Sequence, residues 1–333
     1  MNNTILEVRH LKTYFFTRHG AVKAVDGIDF ALRKGENLCL VGESGCGKTT
    51  AALSILNLVD SPPGKIIDGE VLYHGEDLLH CPNERIRQIR GNRIAMIFQD
   101  PQSSLNPVFT VGDQIAEQVK LHLKLNRKAA MEKALYQMEQ VGIPRARERM
   151  KDYPHQFSGG MKQRVMIATA LSCDPEVLIA DEPTTALDTT IKAQILDIFR
   201  ELKQGKNMSI LFITHDIGTV AEIADRIIVM YGGRSAEAGT AFDIFDQPKH
   251  PYTIGLLNCL PDISTRRDKL TPIPGTIPSL INPPEGCIFN PRCERRMPIC
   301  RREIPKEVVI SEEHIVACHL YSSPATTEKD TSK

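Results

Sequence analysis

Gly42-Glu43-Ser44-Gly45-Cys46-Gly47-Lys48-Thr49 follows the wholly apolar run Leu38-Cys39-Leu40-Val41 and opens a segment of helical pattern, residues 48 to about 59. A short apolar run ending at a glycine turn reads as a parallel strand buried on both faces. The eight residues fit G-x-x-x-x-G-K-[ST] in the strand–turn–helix context that gives this pattern its meaning. Glycines let backbone N–H groups wrap phosphate without a clash at Cβ, and the helix N-terminus adds partial positive charge. Gly42, Ser44, Gly45, Cys46, Gly47, Lys48, Thr49 and Thr50 are therefore the expected ATP contacts. Lys48 is expected to reach the β- and γ-phosphates, and the Thr49 hydroxyl to ligate Mg²⁺.

Residues 5–16 alternate apolar and polar as a strand, and His19-Gly20 turns the chain into a second run, 21–30. Further buried strands are expected at 94–98, 177–180, 210–213 and 227–230, with helices between them. Such alternation implies an α/β fold with a parallel sheet covered on both faces. Between 111 and 150 the period turns helical, with Ile115, Val119, Leu123, Ala134, Leu135, Met138 and Val141 apolar. That stretch reads as a helical insertion.

Val177-Leu178-Ile179-Ala180 ends in the acids Asp181 and Glu182. An acid at the strand tip can hold Mg²⁺, and its neighbour can polarise an attacking water as general base. Asp181 is given the first role and Glu182 the second.

Phe157-Ser158-Gly159-Gly160-Met161-Lys162-Gln163-Arg164 resembles the signature loop of ATP-binding-cassette (ABC) ATPases, and it lies just ahead of Asp181 as that family requires. Phe157 and Met161 depart from the commonest Leu and Gln. The resemblance implies a second phosphate cradle, Ser158 with Gly159 and Gly160, that serves the nucleotide held by another ATPase subunit. Gln99 resembles the Q-loop glutamine that touches Mg²⁺ and the water. Ala186-Leu187-Asp188 resembles the D-loop at the dimer seam, and His215 the switch histidine on the γ-phosphate. For the aromatic face under adenine, Phe15 is chosen by position, with Tyr14 and Phe16 as rivals. The fold implied is a P-loop NTPase: a RecA-like parallel core with an N-terminal antiparallel β subdomain, an α-helical insertion and a small irregular Cys-rich C-terminal region. The boundaries expected are 1–98 with 165–240 for the ATPase core, 99–164 for the helical subdomain and 241–321 for an extension. A polar, disordered tail is expected over 322–333.

A closer resemblance, to the dipeptide and oligopeptide importer branch, rests on four stretches. They are Phe98-Gln99-Asp100-Pro101-Gln102-Ser103-Ser104-Leu105-Asn106-Pro107, His250-Pro251-Tyr252-Thr253, Ile273-Pro274-Gly275-Thr276-Ile277-Pro278, and Gly286-Cys287 through Pro291-Arg292-Cys293. It implies two integral membrane permeases, a solute-binding protein outside the membrane and a second ATPase subunit, the same or different. Permease helices should dock between core and insertion, with Leu105, Val108 and Phe109 as lining. Nickel or another small solute is the alternative cargo, and a soluble ABC ATPase without permeases is the rival class.

Composition agrees. Lys and Arg number 41, as do Asp and Glu. With no net charge and no basic stripe, a nucleic-acid partner is not expected. No run reaches the ~18 apolar residues a membrane span needs, and the first residues lack a secretion signal. The expected location is the cytoplasmic face of the cell membrane.

Of nine cysteines, Cys287-x5-Cys293-x6-Cys300-x17-Cys318 crowd the C-terminal part, while Cys39, Cys46, Cys81, Cys173 and Cys259 are scattered and expected to be buried. Structural zinc favours tighter C-x₂₋₄-C knuckles, a reducing compartment disfavours disulfides, and four thiolates suit a [4Fe–4S] cluster. Some peptide importers of the resembling branch carry one. The cluster is the first expectation and zinc the alternative. A structural staple and a redox sensor are both open roles. His314 and His319 could join a mixed zinc site but are expected at the surface.

Overall fold

The computed structural model describes residues 3–185, 187–259 and 273–322. Two sheets share the chain. The first is antiparallel, ordered β2-β1-β4-β5, from β1 (Thr4–Thr17), β2 (Gly20–Arg33), β4 (Gly64–Tyr73) and β5 (Glu76–Asp77). Leu6, Val8, Leu11 and Thr13 of β1 are buried, so its inward face is the apolar one. The β1–β4 register slips between Arg9 and Lys12, opposite Gly69 (φ +106°), where a Cβ would meet Leu11 Cα at 2.6 Å. Only glycine fits that bulge.

The second sheet carries the order β11-β12-β10-β9-β3-β8-β7-β6. Its strands are β3 (Asn37–Val41), β6 (Ile94–Ile97), β7 (Val177–Asp181), β8 (Ser209–Thr214), β9 (Arg226–Tyr231), β10 (Arg234–Thr240), β11 (Val308–Val309) and β12 (Ile315–Val316). Strands β6, β7, β8, β3 and β9 run parallel; β10, β12 and β11 extend the edge antiparallel. All five residues of β3 are buried. Leu38 and Leu40 pack into one core with β1 and β2, and Cys39 and Val41 into the other with the helical insertion. The predicted two-faced burial is thus the strand's actual environment.

The insertion holds helices Val111–Leu123, Arg127–Gln140 and Ala146–Arg149. Thr110 and Asn126 cap the first two, accepting from the N–H groups of Asp113 and Ala129. Ile115, Val119, Ala134, Met138 and Val141 are buried as the period demanded.

Several expectations need correction. The helix after the glycine turn spans Lys48–Ile55 rather than reaching 59, because Asn57 takes a left-handed conformation (φ +49°) that ends it. The strand at 94 stops at Ile97, leaving Phe98 exposed. Strands β4, β5, β10, β11 and β12 were not foreseen. Strand β10 carries Glu237, 1% exposed, a residue that sequence alone places in water. Its carboxylate accepts from Lys249 N–H (2.7 Å), His250 N–H (2.9 Å) and the ring of His314 (2.7 Å). Those donors explain the burial. They also bind two parts of the extension to one point, and His314, expected at the surface, is 1% exposed there. Beyond β10, helices Ala241–Asp246 and Pro251–Asn258 follow, the second capped by buried His250, whose Nδ1 accepts from Tyr252 N–H. Burial pushes the His250 imidazole down to about 4, so it stays neutral and can accept. Of the expected disordered tail, 323–333 lies outside the described residues.

Candidate functional site

The loop from Gly42 to Gly47 joins β3 to the helix Lys48–Ile55. Gly47 has φ +104°, and a Cβ there would meet Ala24 O at 2.0 Å; at Gly42 it would meet Met230 O at 2.3 Å. A Cβ at Gly45 meets nothing within 4 Å. Two glycines thus seat the loop on the core, and the third leaves its outer side open to a ligand. Buried Lys48 folds back, its Nζ donating to the carbonyls of Gly42 (2.8 Å) and Glu43 (3.0 Å). An ammonium resting on carbonyl dipoles holds its charge in the loop.

Thr49 Oγ1 donates to Asp181 Oδ1 at 3.2 Å, bringing the loop threonine and the acid at the tip of β7 together. Burial raises the Asp181 carboxyl to about 6, against the opposing Thr49 bond. Next to it Glu182 takes φ +46°, uncommon for a residue with a side chain. Its N–H donates to Ile213 O (2.8 Å) of β8, which fixes that conformation. Its carboxylate accepts from Gln99 Nε2 (3.1 Å) and Thr185 Oγ1 (2.9 Å), and Oε1 lies 3.0 Å from His215 Nδ1. Burial alone would raise the Glu182 carboxyl, but the bonds from His215 and Thr185 outweigh it and hold it below its ordinary value. The carboxylate is therefore ionised at neutral pH, as a base must be. Gln99, Asp181, Glu182 and His215, spread over 117 positions of sequence, meet at the C-terminal ends of β6, β7 and β8. Thr185 was missed because a threonine three residues past an acid carries no signal of its own.

Ser158 caps the helix Gly159–Leu171 and accepts from Met161 N–H at 3.4 Å. Ser158 and Gly159 are exposed, and a Cβ on Gly159 meets nothing within 4 Å. This helix start therefore presents free N–H dipoles to the outside. Asp188, also exposed, caps the helix Thr189–Lys206 by accepting from Ile191 N–H at 2.9 Å. Ala186 lies outside the described residues.

Among the aromatic candidates, Tyr14 gives its hydroxyl to Asp26 (2.5 Å), which also pairs with Arg234. Phe15 is partly buried beside Gly64, and Phe16 is 53% exposed. A groove of about 860 Å³ separates core from insertion; Leu105, Phe109 and Leu121 line it with Phe98 and Met166, whereas Val108 is not part of its lining.

Three of the scattered cysteines, Cys39, Cys46 and Cys173, are buried, and Cys81 and Cys259 partly so. Cys287, Cys293, Cys300 and Cys318 share one neighbourhood. Burial pushes the Cys287 thiol up to about 11, and the other three thiols push it the same way. Yet among the described residues no three His, Cys, Asp or Glu side chains converge closely enough to hold a metal ion. His314 is turned to Glu237, and His319 Nε2 lies 2.8 Å from Glu303 O. Neither histidine completes a zinc site.

A glycine cradle with its lysine and a strand-tip acid, beside a second ionised carboxylate, define a P-loop ATPase cassette. Residues 25–185 match the family model described as ABC transporter, and 236–300 match that of the oligopeptide/dipeptide transporter C-terminal region. The dipeptide transport ATP-binding protein DppD of Bacillus subtilis is 50% identical over 321 residues, covering 96% of this chain and 96% of that one. The oligopeptide transport ATP-binding protein AppD of the same organism is also 50% identical, covering 96% and 97%. Among solved structures, the dimeric ABC transporter cassette MJ0796 superposes with a TM-score of 0.64 at 24% identity, covering 71% of this chain and 98% of that one. CbiO1 of Clostridium perfringens gives 0.62 at 25%, covering 74% and 92%. The chain belongs to the family of dipeptide and oligopeptide ABC transporter ATP-binding proteins.

Among the described residues no helix is long and apolar enough to cross a membrane.

Proposed function

We propose that this chain hydrolyses ATP as one of two ATPase subunits on the cytoplasmic face of a peptide importer, driving two permeases fed by a solute-binding protein. The relatives' names supply the peptide cargo. The observation that carries the chemistry is the grip of Gln99, Thr185 and His215 on Glu182, beside the Thr49–Asp181 pair. Gly42, Ser44, Gly45, Cys46, Gly47 and Thr50 wrap the phosphates with backbone and side-chain donors, and Lys48 leaves its carbonyl perches for the β- and γ-phosphates. Thr49, Asp181 and Gln99 would hold Mg²⁺, which supplies charge neutralisation to the phosphates.

Glu182 then accepts a proton from water as the water oxygen bonds to the γ-phosphorus; the bond to the bridging oxygen breaks, releasing ADP and phosphate. His215 orients Glu182 and reaches the γ-phosphate. Phe15 is the reading for the adenine face. Ser158, Gly159, Gly160 and Asp188 face the mate's nucleotide, which accounts for the exposure of Ser158, Gly159 and Asp188. The groove beside Leu105 and Phe109 takes the permease helix. When the complex isolated through this chain is placed in liposomes, peptide-loaded binding protein should raise hydrolysis and drive uptake. Active chain with no membrane protein attached would favour a soluble ABC ATPase instead.

For the cysteines, a [4Fe–4S] cluster remains the better reading. Four thiols gather near Cys287, four thiolates are the ligand set of such a cluster, and structural zinc favours tighter C-x₂₋₄-C spacing. Anaerobically purified chain should contain about four irons and four acid-labile sulfides, the content of a [4Fe–4S] cluster. Zinc without sulfide would reject it.

A further inference from the structure

We infer that the C-terminal extension positions the phosphate loop through Arg292, which holds the loop residue Glu43. This rests on the ATPase reading above. Arg292 lies in the short turn Asn290–Arg292, directly before Cys293, and is 7% exposed. Its guanidinium grips Glu43 at both carboxylate oxygens, Nη1 to Oε2 at 2.6 Å and Nη2 to Oε1 at 3.0 Å. The remaining donors are engaged as well. Nε reaches Pro274 O at 2.9 Å, Nη2 also reaches Ile273 O at 3.3 Å, and Nη1 approaches Tyr231 Oη at 3.3 Å. A planar fork saturated on both edges holds one orientation, as an ammonium on a flexible stem could not.

The other atoms of Glu43 are committed too. Its N–H donates to the hydroxyl of Tyr252 at 2.9 Å, and Tyr252, on the helix Pro251–Asn258, is fully buried. Its carbonyl accepts from Lys48 Nζ at 3.0 Å and from Cys46 N–H at 3.3 Å. The second residue of the cradle is thus fixed from outside by two side chains of the extension. From inside, its carbonyl holds the lysine that must reach the phosphates. A partly buried ion pair is a weak device for stability, because desolvation offsets much of its attraction, but a good one for fixing register. Here the register fixed is that of the loop backbone.

Arg292 and Tyr252 are positioning residues, since both act on the loop through Glu43. Glu43→Gln removes the charge and leaves the extension's other contacts in place; Arg292→Lys keeps the charge and loses the fork. Both are made in the full chain, and binding of a fluorescent ATP analogue is titrated beside steady-state kinetics in the assembled transporter. Displacing a preorganised group by a fraction of an ångström weakens what it holds. Each variant should therefore bind about tenfold more weakly, and KM for ATP should rise alike. With Glu182, Gln99 and His215 untouched, kcat should stay within about twofold. Affinity equal to the parent's in Glu43→Gln overturns the inference and leaves the pair as packing. Should Arg292→Lys fail to fold, Glu43→Gln decides alone. A parent chain that binds no nucleotide would remove the ATPase reading and this inference with it.

Discussion

Glu182→Gln binds ATP like the parent but hydrolyses it about 10²- to 10⁴-fold more slowly, the range a positioned general base contributes. The amide is nearly isosteric with the carboxylate, so its oxygen still accepts from Gln99 and Thr185, and its NH₂ can turn to His215. The left-handed backbone at 182 survives as well, since it is held by the bond to Ile213 and not by the side chain. What disappears is the acceptor for the proton of the attacking water. The ATP-bound pair should then accumulate, visible as a dimer on sizing in ATP and absent in ADP. Hydrolysis at the parent rate would remove Glu182 from the role of base.

Ser158→Arg should be nearly as damaging for a different reason. Ser158 caps the start of the helix Gly159–Leu171 and stands exposed beside the open flank of Gly159. Arginine fills that flank, so the N–H dipoles can no longer approach a phosphate presented by another chain. Loss of one set of preorganised donors to a developing charge lowers turnover by about 10²- to 10³-fold. ATP binding to the variant's own loop should be unchanged, because Lys48 and Thr49 are intact. A variant that loses binding and turnover together would place Ser158 in the same chain's cradle.

The phosphate loop and its acids were legible in the sequence because their spacing is local: eight consecutive residues, then two acids at a strand tip. Gln99 and His215 became readable only through family order, as single polar residues at strand ends carry no pattern of their own. What stayed hidden was held by distant partners. Glu237 is buried because His314, 77 positions away, and two backbone N–H groups answer its charge. Strand β10, Arg-Ser-Ala-Glu-Ala-Gly-Thr, therefore reads as loop, while β12 is two residues long and exists by pairing with β10. Strand β4 has glycine at 64 and 69 and a mostly solvated face, which blurs its alternation. Arg292 and Glu43, 249 positions apart, show no sign of each other in sequence.

The most direct measurement is ATP turnover per chain across a dilution series, run for the parent and for Ser158→Arg. A pocket completed by a second subunit predicts that turnover per chain falls on dilution and is restored by the mate, with the variant inactive throughout. Full activity of the parent as a dilute monomer, with Ser158 replaceable at no loss, would contradict it.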